Sequence, residues 1–335
     1  MKKIYFAPLE GITDSIYRNT FEKYYGGIDK YYTPFLSPNS TFKFTTREFN
    51  QINPEKNNIK NTVPQLLTNK AEHFLWAVGE IAALGYKEIN FNLGCPSGTV
   101  VAKKKGSGLL FYPEELDNML YEIFDGLDTT CAKTGSSVPE ISIKTRLGRL
   151  DPDEFYEVLD IYNKYPISEL TIHPRIQKDF YREPLKPEYF DYAYEHAKAP
   201  LVFNGDIVTV KDINNTFGKY DSIDAVMIGR ALISHPELAL AYKNYVNQTG
   251  DDISSAGGTQ NTGASLDLKN FKNFHDDLII QYSDLLSGET PLLHRIKEFW
   301  SFWEVNFPED GKTIKKMRKA KSLAEYKSYL NSLLS

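Results

Sequence analysis

Short apolar or β-branched runs alternate with amphipathic segments along the first two thirds of the chain. Apolar residues within Ala71–Leu84 and Asp153–Tyr162 recur every three or four positions, which is typical of helices with one buried face. Strands alternating with helices predict a parallel TIM (β/α)8 barrel, whose usual size is roughly 250 residues. We therefore assign residues 1–248 to a barrel domain. The runs predicted as strands are Ile4–Ala7, Tyr31–Pro34, Thr62–Leu66, Glu88–Leu93, Glu140–Thr145, Glu169–His173, Leu201–Asn204 and Asp224–Ile228.

An open, doubly wound sheet would show the same alternation of strands and helices. However, no Gly-x-Gly-x-x-Gly motif follows an early strand, so the dinucleotide-binding form of that fold has little support. The closed barrel is the prediction that we carry forward.

The pattern changes after the barrel. Residues 249–266 are rich in Gly, Ser, Thr and Asn and predict a flexible linker or surface loop, whereas residues 267–335 are wholly helical in pattern and predict a small all-α bundle domain. Just before the linker, Pro236 should kink or split the helix predicted at Ala231–Val246. The aromatic residues expected to form the core of the bundle are Phe271, Phe274, Tyr282, Phe299, Trp300, Phe302 and Trp303.

Polar side chains follow nearly every predicted strand, at the carboxyl end where TIM barrels place their active sites. Each of them alone has an ordinary explanation, such as a helix cap or an ion pair, but their agreement around the barrel favours one shared site. The residues at these ends are Ala7, Pro8, Leu9, Glu10, Gly11, Gln65, Asn92, Cys95, Lys144, Arg146, His173, Arg175, Asn204, Gly205, Asp206, Gly229 and Arg230.

The chemistry of these residue types fits an FMN pocket. The cation of Lys144 can favour negative charge at the N1–C2=O2 edge of a reduced flavin, and the amide of Gln65 can both donate to and accept from the N3–H/O4 edge. The glycines of Asn204-Gly205-Asp206 and Gly229-Arg230 could cradle a phosphate, to which Arg230 adds a bidentate donor. Cys95 would then serve either as a general acid or as a buried structural thiol.

Charge is distributed unevenly along the chain. The net charge of −5 argues against a general nucleic-acid binder, but residues 294–335 carry nine Lys and Arg against five Asp and Glu. The two basic clusters, Lys103–Lys105 and Lys312–Lys321, are either solvated surfaces or phosphate contacts. The residues that we assign to phosphate contact are Lys103, Lys104, Lys105, Lys315, Lys316, Arg318 and Lys319.

Several classes of protein are not supported. Two cysteines cannot form a disulfide framework, and their scarcity fits a reducing compartment. The apolar run before Pro8 is too short for a signal peptide, and no run approaches the roughly 18 apolar residues of a membrane span. The six histidines show no metal-ligand spacing. We expect a cytoplasmic protein without a metal or a membrane contact.

Six motifs carry a resemblance to the tRNA-dihydrouridine synthases, and they occur in order over essentially the whole chain. The GCP-centred motif is specific to that family, whereas the phosphate motif is shared by many FMN barrels. The motifs are APLEGITD (Ala7–Asp14), NLGCPSGTVVAKKKGSGLL (Asn92–Leu110), IKTRLG (Ile143–Gly148), TIHPR (Thr171–Arg175), FNGDI (Phe203–Ile207) and MIGRAL (Met227–Leu232).

The resemblance implies reduction of the C5=C6 bond of particular D-loop uridines in tRNA, with FMN as cofactor and NADPH as reductant. It makes Cys95 the acid that protonates C5, places Asn92 and Arg175 on the substrate side, and puts His173 beside flavin and substrate. It also makes the bundle at 267–335 a tRNA-binding domain; a monomer would suffice for one tRNA. The implied flavin contacts are Ala7, Pro8, Leu9, Gln65, Lys144, His173, Asn204, Gly205, Asp206, Gly229 and Arg230.

The sequence departs from the family pattern in three places. Leu9 replaces an expected methionine, the loop at Lys103–Lys105 is unusually basic, and the linker at 249–266 is long. Two other functions remain open: a small-molecule FMN ring reductase of the dihydroorotate dehydrogenase kind, and an idle RNA-binding barrel. The chain alone does not identify which uridine is reduced.

Overall fold

A computed structural model describes residues 2–249 and 266–334. Its strands form one parallel sheet in the order β3-β2-β1-β9-β8-β7-β6-β5-β4. Pro64 lacks an N–H for the ladder and splits one strand into β3, which pairs with β2, and β4, which pairs with β5. The split strand closes the sheet, so the predicted TIM barrel is confirmed. The strands are β1 (Lys3–Phe6), β2 (Lys30–Tyr32), β3 (Thr62–Val63), β4 (Gln65–Leu66), β5 (Glu88–Leu93), β6 (Glu140–Arg146), β7 (Leu170–His173), β8 (Leu201–Asn204) and β9 (Ala225–Ile228).

Helices follow the strands, and several also lie at the end of the chain. As expected, the helix predicted around Pro236 is split, into α9 and α10. The helices are α1 (Ser15–Tyr24), α2 (Thr46–Asn50), α3 (Ala71–Ala83), α4 (Gly98–Val101), α5 (Pro113–Thr134), α6 (Glu154–Tyr162), α7 (Pro187–His196), α8 (Val210–Lys219), α9 (Arg230–Ser234), α10 (Leu238–Thr249), α11 (Leu268–Leu285), α12 (Glu289–Trp303), α13 (Gly311–Lys319) and α14 (Leu323–Leu333).

The chain divides into two compact units. The first comprises Met1–Glu10, Asp29–Asp206 and Thr216–Ile228, and it contains every described strand. The second comprises Gly11–Ile28, Ile207–Asn215 and Gly229–Ser335. The second unit therefore includes three segments from the part of the chain that the sequence assigns to the barrel domain, namely 11–28, 207–215 and 229–248. The predicted linker, 249–266, lies almost entirely outside the described residues.

The interior of the barrel in the first unit is part apolar and part ionic. Side chains such as Tyr5, Tyr32 and Met227 are fully buried and pack together. Beside them, the ammonium of Lys30 lies 2.7 Å from Glu88 and 3.3 Å from Glu169. Burying these charges is tolerated because each has a partner of opposite sign.

The core of the second unit is aromatic. All of the aromatic residues predicted for the bundle core are buried except Phe302, which is only half-buried. Helix α1 contributes to the same core, since the ring of Tyr17 lies 5.0 Å from that of Phe299. The Arg295 guanidinium adds a polar contact, 2.6 Å from the carboxylate of Asp14. No helix within the described ranges is long and apolar enough to cross a bilayer.

Candidate active site

Cys95 lies two residues beyond β5, in a turn that a single side chain organises. The Oδ1 atom of Asn92 accepts hydrogen bonds from the backbone N–H groups of Gly94 (3.0 Å) and Cys95 (2.9 Å). On the other side, the hydroxyl of Ser107 donates to the carbonyl of Cys95 at 2.8 Å. Gly106 approaches so closely that a Cβ there would lie 2.9 Å from the same carbonyl oxygen. The turn is thus held from both sides, and the thiol is half-buried.

The environment of Cys95 keeps its thiol protonated. Burial raises the pKa of Cys95, and the carboxylate of Glu10 acts in the same direction. The N–H of Ser97 and the charges of Arg146 and Lys144 act in the opposite direction without overcoming burial. A thiol in this state can give up a proton rather than attack as a thiolate.

Lys144, on β6, lies opposite Asn92 in the strand register. Burial lowers the pKa of Lys144 to about 7, and the charge of Arg146 lowers it further, while Cys95 acts in the opposite direction. Within the described part of the chain, this ammonium has neither a hydrogen bond nor an ion pair. A half-buried cation without an anion is suited to a group that carries negative charge.

Asn92 and Gln65 belong to a row of hydrogen-bonded side chains inside the barrel. Asn92 Nδ2 donates to Gln65 Oε1 at 2.7 Å, and Gln65 Nε2 donates to Asn90 Oδ1 at 2.8 Å. Asn90 Nδ2 then donates to Ser142 Oγ at 2.9 Å, and Ser142 Oγ donates to the carboxylate of Glu88 at 2.7 Å. Every donor in the row points away from Cys95.

The row determines what Gln65 and Asn92 can still bind. Gln65 is fully buried and has already used one donor and one acceptor, which leaves one N–H and one lone pair. Asn92 has two bonds at Oδ1 and one at Nδ2, so a single N–H remains for another partner. Both residues therefore hold neighbouring groups in place and still keep hydrogen-bonding groups for a ligand.

His173, Arg175 and Asp206 form a second cluster, at the ends of β7 and β8. Arg175 makes a bidentate pair with Asp206, at 3.0 and 2.5 Å, and its Nε donates to the carbonyl of Glu183. Arg175 Nη1 also lies 3.0 Å from His173 Nε2, and because a guanidinium only donates, Nε2 accepts and the ring proton sits on Nδ1. Gly205 packs against His173 and Leu185, with a φ of 140° and no room for a Cβ, which would lie 2.9 Å from Leu185 and 3.0 Å from His173.

Reasoning from the sequence placed Arg146 at a strand end without a role and missed Tyr181. Arg146 is buried, and its three nitrogens donate to the carbonyls of Gly94, Ile176 and Phe180, so it joins the Cys95 turn to the segment after β7. Tyr181 is half exposed, stacks on His173 and lies under the Arg146 guanidinium. Nothing in the local sequence pattern marks Tyr181, because its position depends on the fold of that segment.

The remaining predicted flavin contacts lie at three further strand ends. Ala7 is buried and bonded through its N–H to Ile228, while Pro8 and Leu9 are half-buried. The Asn204 side-chain amide donates one N–H to the carbonyl of Met227 at 2.7 Å, which still leaves its Oδ1 and a second N–H. Gly229 and Arg230 follow β9 directly and begin the last segment of the second unit. Arg230 is exposed at the start of α9.

A family model described as dihydrouridine synthase matches residues 5–271 of the chain. The chain belongs to the dihydrouridine synthase family. Curated relatives of the chain carry more specific names. A tRNA-dihydrouridine(16) synthase of Vibrio parahaemolyticus is 24% identical, with 94% of this chain and 91% of the relative covered. One of Pseudomonas putida is 29% identical over 71% and 72% of the two chains.

The chain is also similar to solved structures, at lower identity than the relatives named above. Morphinone reductase gives a TM-score of 0.49 at 10% identity, covering 72% of this chain and 86% of the other. The old yellow enzyme of Trypanosoma cruzi gives 0.48 at 8% identity, covering 72% and 88%. These values are too low to support a functional conclusion.

The predicted phosphate-contacting residues of the synthase are divided between its two units. In the first, Lys103 is exposed, whereas Lys104 is paired with Glu115 at 2.5 Å and Lys105 is half-buried. In the second, Ile314 and Met317 are the buried positions of α13. The exposed positions of α13 carry Lys315, Lys316, Arg318 and Lys319.

Within the described ranges, no three His, Cys, Asp or Glu side chains are grouped so that they could hold a metal ion. The two cysteines are unpaired; Cys95 is half-buried and Cys131 is buried. The chemistry that the site offers is therefore that of a protonated thiol and a cation without an anion, with an oriented imidazole nearby.

Proposed function

We propose that this dihydrouridine synthase reduces the C5=C6 bond of a uridine in the D-loop of tRNA, with FMN as cofactor and NADPH as reductant. Family membership and the names of the curated relatives support the reaction. The observation that carries the proposal is the pairing, at two neighbouring strand ends, of a protonated thiol, Cys95, with a cation that lacks an anion, Lys144.

The donor set fits FMN. The unpaired Lys144 ammonium would face the N1–C2=O2 edge, and the free lone pair and N–H of Gln65 would face the N3–H/O4 edge. The backbone around Gly205 would approach the phosphate, with Gly229 and Arg230 as further predicted ligands. When bound, FMN supplies the hydride that reaches C6 of uracil, and NADPH replaces that hydride.

Cys95 completes the reduction by giving the thiol proton to C5 of uracil. The product thus gains one hydride and one proton across the former double bond, and solvent reprotonates the thiolate. The raised pKa of Cys95 keeps the proton in place until the base arrives. Asn92 fixes the backbone of Cys95, and its remaining N–H is available to a uracil carbonyl.

The base must leave its stack before it can reach this site, because a uracil inside folded tRNA is covered on both faces. His173 presents Nδ1–H as a donor, since Nε2 is engaged by Arg175. Arg175 and Asp206 thereby orient the imidazole rather than binding freely. Phosphates of the tRNA would be held by the exposed cations of α13 and by Lys103.

The decisive experiment is to incubate the purified protein with NADPH and unmodified tRNA and to map dihydrouridine position by position. We expect dihydrouridine at one D-loop position, and position 16 should be examined first because of the relatives' names. Absence of dihydrouridine from a protein that binds FMN and oxidises NADPH would contradict the proposal and favour a small-molecule ring reductase.

A further inference from the structure

Three aromatic side chains of the first unit, one exposed and two half-buried, form a cluster that the proposed reaction does not use. The ring of Phe44 lies 4.7 Å from that of Trp76 at a tilt of 43°, and the ring of Phe42 meets Trp76 edge-on at 6.0 Å. Phe42 is 45% exposed, although such a side chain is usually buried. We call Phe42, Phe44 and Trp76 the aromatic platform.

The platform is built into an ordered segment rather than a loose loop. The backbone N–H of Phe42 donates to the carbonyl of Asn39, and Phe42 adopts a φ of 48°, which is uncommon for a bulky residue. Beyond Phe44, Thr45 and Glu48 form a capping box at the start of α2. The exposed ring of Phe42 is therefore held in place by its neighbours.

Cations surround the platform. Lys43 lies between the two phenylalanines in the chain and is exposed, and Lys70 is exposed at the start of α3. The ring of His73 packs 5.6 Å from Phe42. Burial lowers the pKa of His73 against the opposing effect of Glu72, and the charges of Lys70 and Lys105 lower it further. Glu72 Oε1 lies 3.6 Å from both Lys70 Nζ and His73 Nε2, which places Lys70 beside the ring that packs against Phe42.

The platform also adjoins the loop that follows Cys95. The side-chain amide of Asn69, which lies two residues before α3, donates to the carbonyl of Lys103 at 3.0 Å. This contact fixes the basic loop against the edge of the surface that carries Trp76. An RNA whose phosphates contact Lys103 would thus lie close enough to contact the aromatic rings as well.

We propose that the aromatic platform is a second RNA-binding site, which stacks an unpaired base of the tRNA while Lys43, Lys70 and Lys105 contact its phosphates. The proposal rests on the proposed function for the identity of the RNA. Exposed rings flanked by cations are the arrangement with which proteins hold unpaired nucleotides, because every base offers a face to stack and every nucleotide a phosphate. A protein partner would have less need of three cations around the rings.

The test compares Phe42→Ala with Tyr156→Ala in the FMN-loaded protein. Tyr156 is a matched control, since it is 42% exposed in the same unit and lies beside Glu154 and Glu157 rather than lysines. Phe42→Ala should raise KM for unmodified tRNA by roughly 5- to 150-fold, the range of one lost base stack. The effect should fall on KM rather than kcat, Phe42→Tyr should restore KM, and Tyr156→Ala should match the wild type.

Tryptophan fluorescence gives an independent measurement. Trp300 and Trp303 are fully buried, so Trp76 is the tryptophan that a stacked base can quench. Adding tRNA should quench the wild-type signal, and Trp76→Phe should abolish the quenching while retaining a ring. Equal KM values for Phe42→Ala and Tyr156→Ala, or no quenching by bound tRNA, would overturn the platform.

These results are distinguishable from failure of the proposed reaction. If the wild type forms no dihydrouridine on any tRNA, the proposed function fails, yet the tRNA Kd of Phe42→Ala against Tyr156→Ala still decides the platform. A raised tRNA Kd for Phe42→Ala, but not for Tyr156→Ala, would support the platform in that case. Dihydrouridine formation with identical Kd values for both variants would leave the reaction standing and reject the platform.

Discussion

At the scale of single residues, the site contains two groups whose pKa values burial moves in opposite directions. Burial raises the pKa of Cys95 and lowers that of Lys144 to about 7, because burial disfavours the charged form of each group. The thiol therefore keeps its proton, while the lysine can gain or lose its own near neutral pH. An anion placed beside Lys144 would stabilise its charged form.

Replacing Cys95 with alanine should separate the two halves of the reaction. In the proposed mechanism the thiol donates the proton but does not hold the flavin, so Cys95→Ala should bind FMN and oxidise NADPH at wild-type rates. Dihydrouridine formation should fall by at least the roughly 100-fold typical of a lost general acid. Mass spectrometry of tRNA measures it, with Cys131→Ala as the matched control; undiminished product would remove Cys95 from the mechanism.

Replacing Lys144 with methionine should make the flavin harder to reduce. The reduced flavin carries more negative charge than the oxidised form, so losing the cation lowers the midpoint potential, by roughly 30 mV for each 1.4 kcal/mol of lost interaction in a two-electron couple. Spectroelectrochemical titration measures the shift, and exposed Lys133→Met serves as the control. A potential equal to that of the control would place Lys144 away from the flavin.

Residue types at the site were predictable from the sequence, but their partners were not. Cys95, Lys144 and His173 stand at strand ends that periodicity locates. The hydrogen bonds that occupy Gln65 and Arg175 depend on residues far apart in the chain, such as Asn90 and Asp206. Such pairings arise from strand register, which a single sequence does not specify.

At the scale of elements, α13 has one buried apolar face and one exposed cationic face. Its buried positions, Ile314 and Met317, attach it to the second unit, which leaves its cations facing outward. Arg318 pairs with Glu304 at 3.0 Å, and a groove of about 260 Å³ lies beside this pair. The other cations of α13 have no ion pair within the described residues.

Neutralising the cations of α13 should weaken tRNA binding and flatten its dependence on salt. Each lost phosphate contact should reduce the slope of log Kd against log salt by about 0.7 to 0.9. The variant changes Lys315, Lys316, Arg318 and Lys319 to Gln, and exposed Lys133 and Lys198 changed to Gln provide the control. An unchanged slope in filter-binding titrations would show that α13 is only a solvated surface.

Element types were predicted well where a proline or a strict period marks them. Pro236 separates α9 from α10 as expected, whereas Pro64 divides a run predicted as one strand. The reason is local in both cases, since proline lacks the N–H that a helix or ladder needs. The grouping of Gly11–Ile28 with the second unit was not foreseeable, because it depends on contacts such as Tyr17 with Phe299.

At the scale of the whole molecule, stability should depend on pH through a histidine in the second unit. His275 is fully buried, and its Nε2 lies 2.6 Å from the hydroxyl of Tyr326, which also accepts from Trp300. Burial lowers the pKa of His275, against the smaller opposing effect of Asp276. Unfolding releases the ring to water, where its pKa is about 6.5.

The sign of the effect follows from proton binding. Below about pH 6.5 the unfolded chain binds a proton at His275 that the folded chain does not, so stability falls as pH decreases, by at most about 1.4 kcal/mol per pH unit. Melting temperatures at pH 7.5 and 5.5 should therefore differ less for His275→Gln than for the wild type. Replacement of the exposed His196 with Gln is the control. If the melting temperatures of His275→Gln at the two pH values differ as much as those of the wild type, the assignment of the pH effect to His275 is refuted.

The row from Asn92 to Glu88 makes its members dependent on one another. A carboxylate can only accept and a backbone N–H can only donate, so the two ends fix the direction of Gln65, Asn90 and Ser142 between them. Changing any one of the three alone leaves a buried group without its partner. In a library randomised at these positions and selected for activity, substitutions should therefore survive in compensating pairs. The turn that carries Cys95 should stay intact only in variants that preserve the donor-to-acceptor direction of the row.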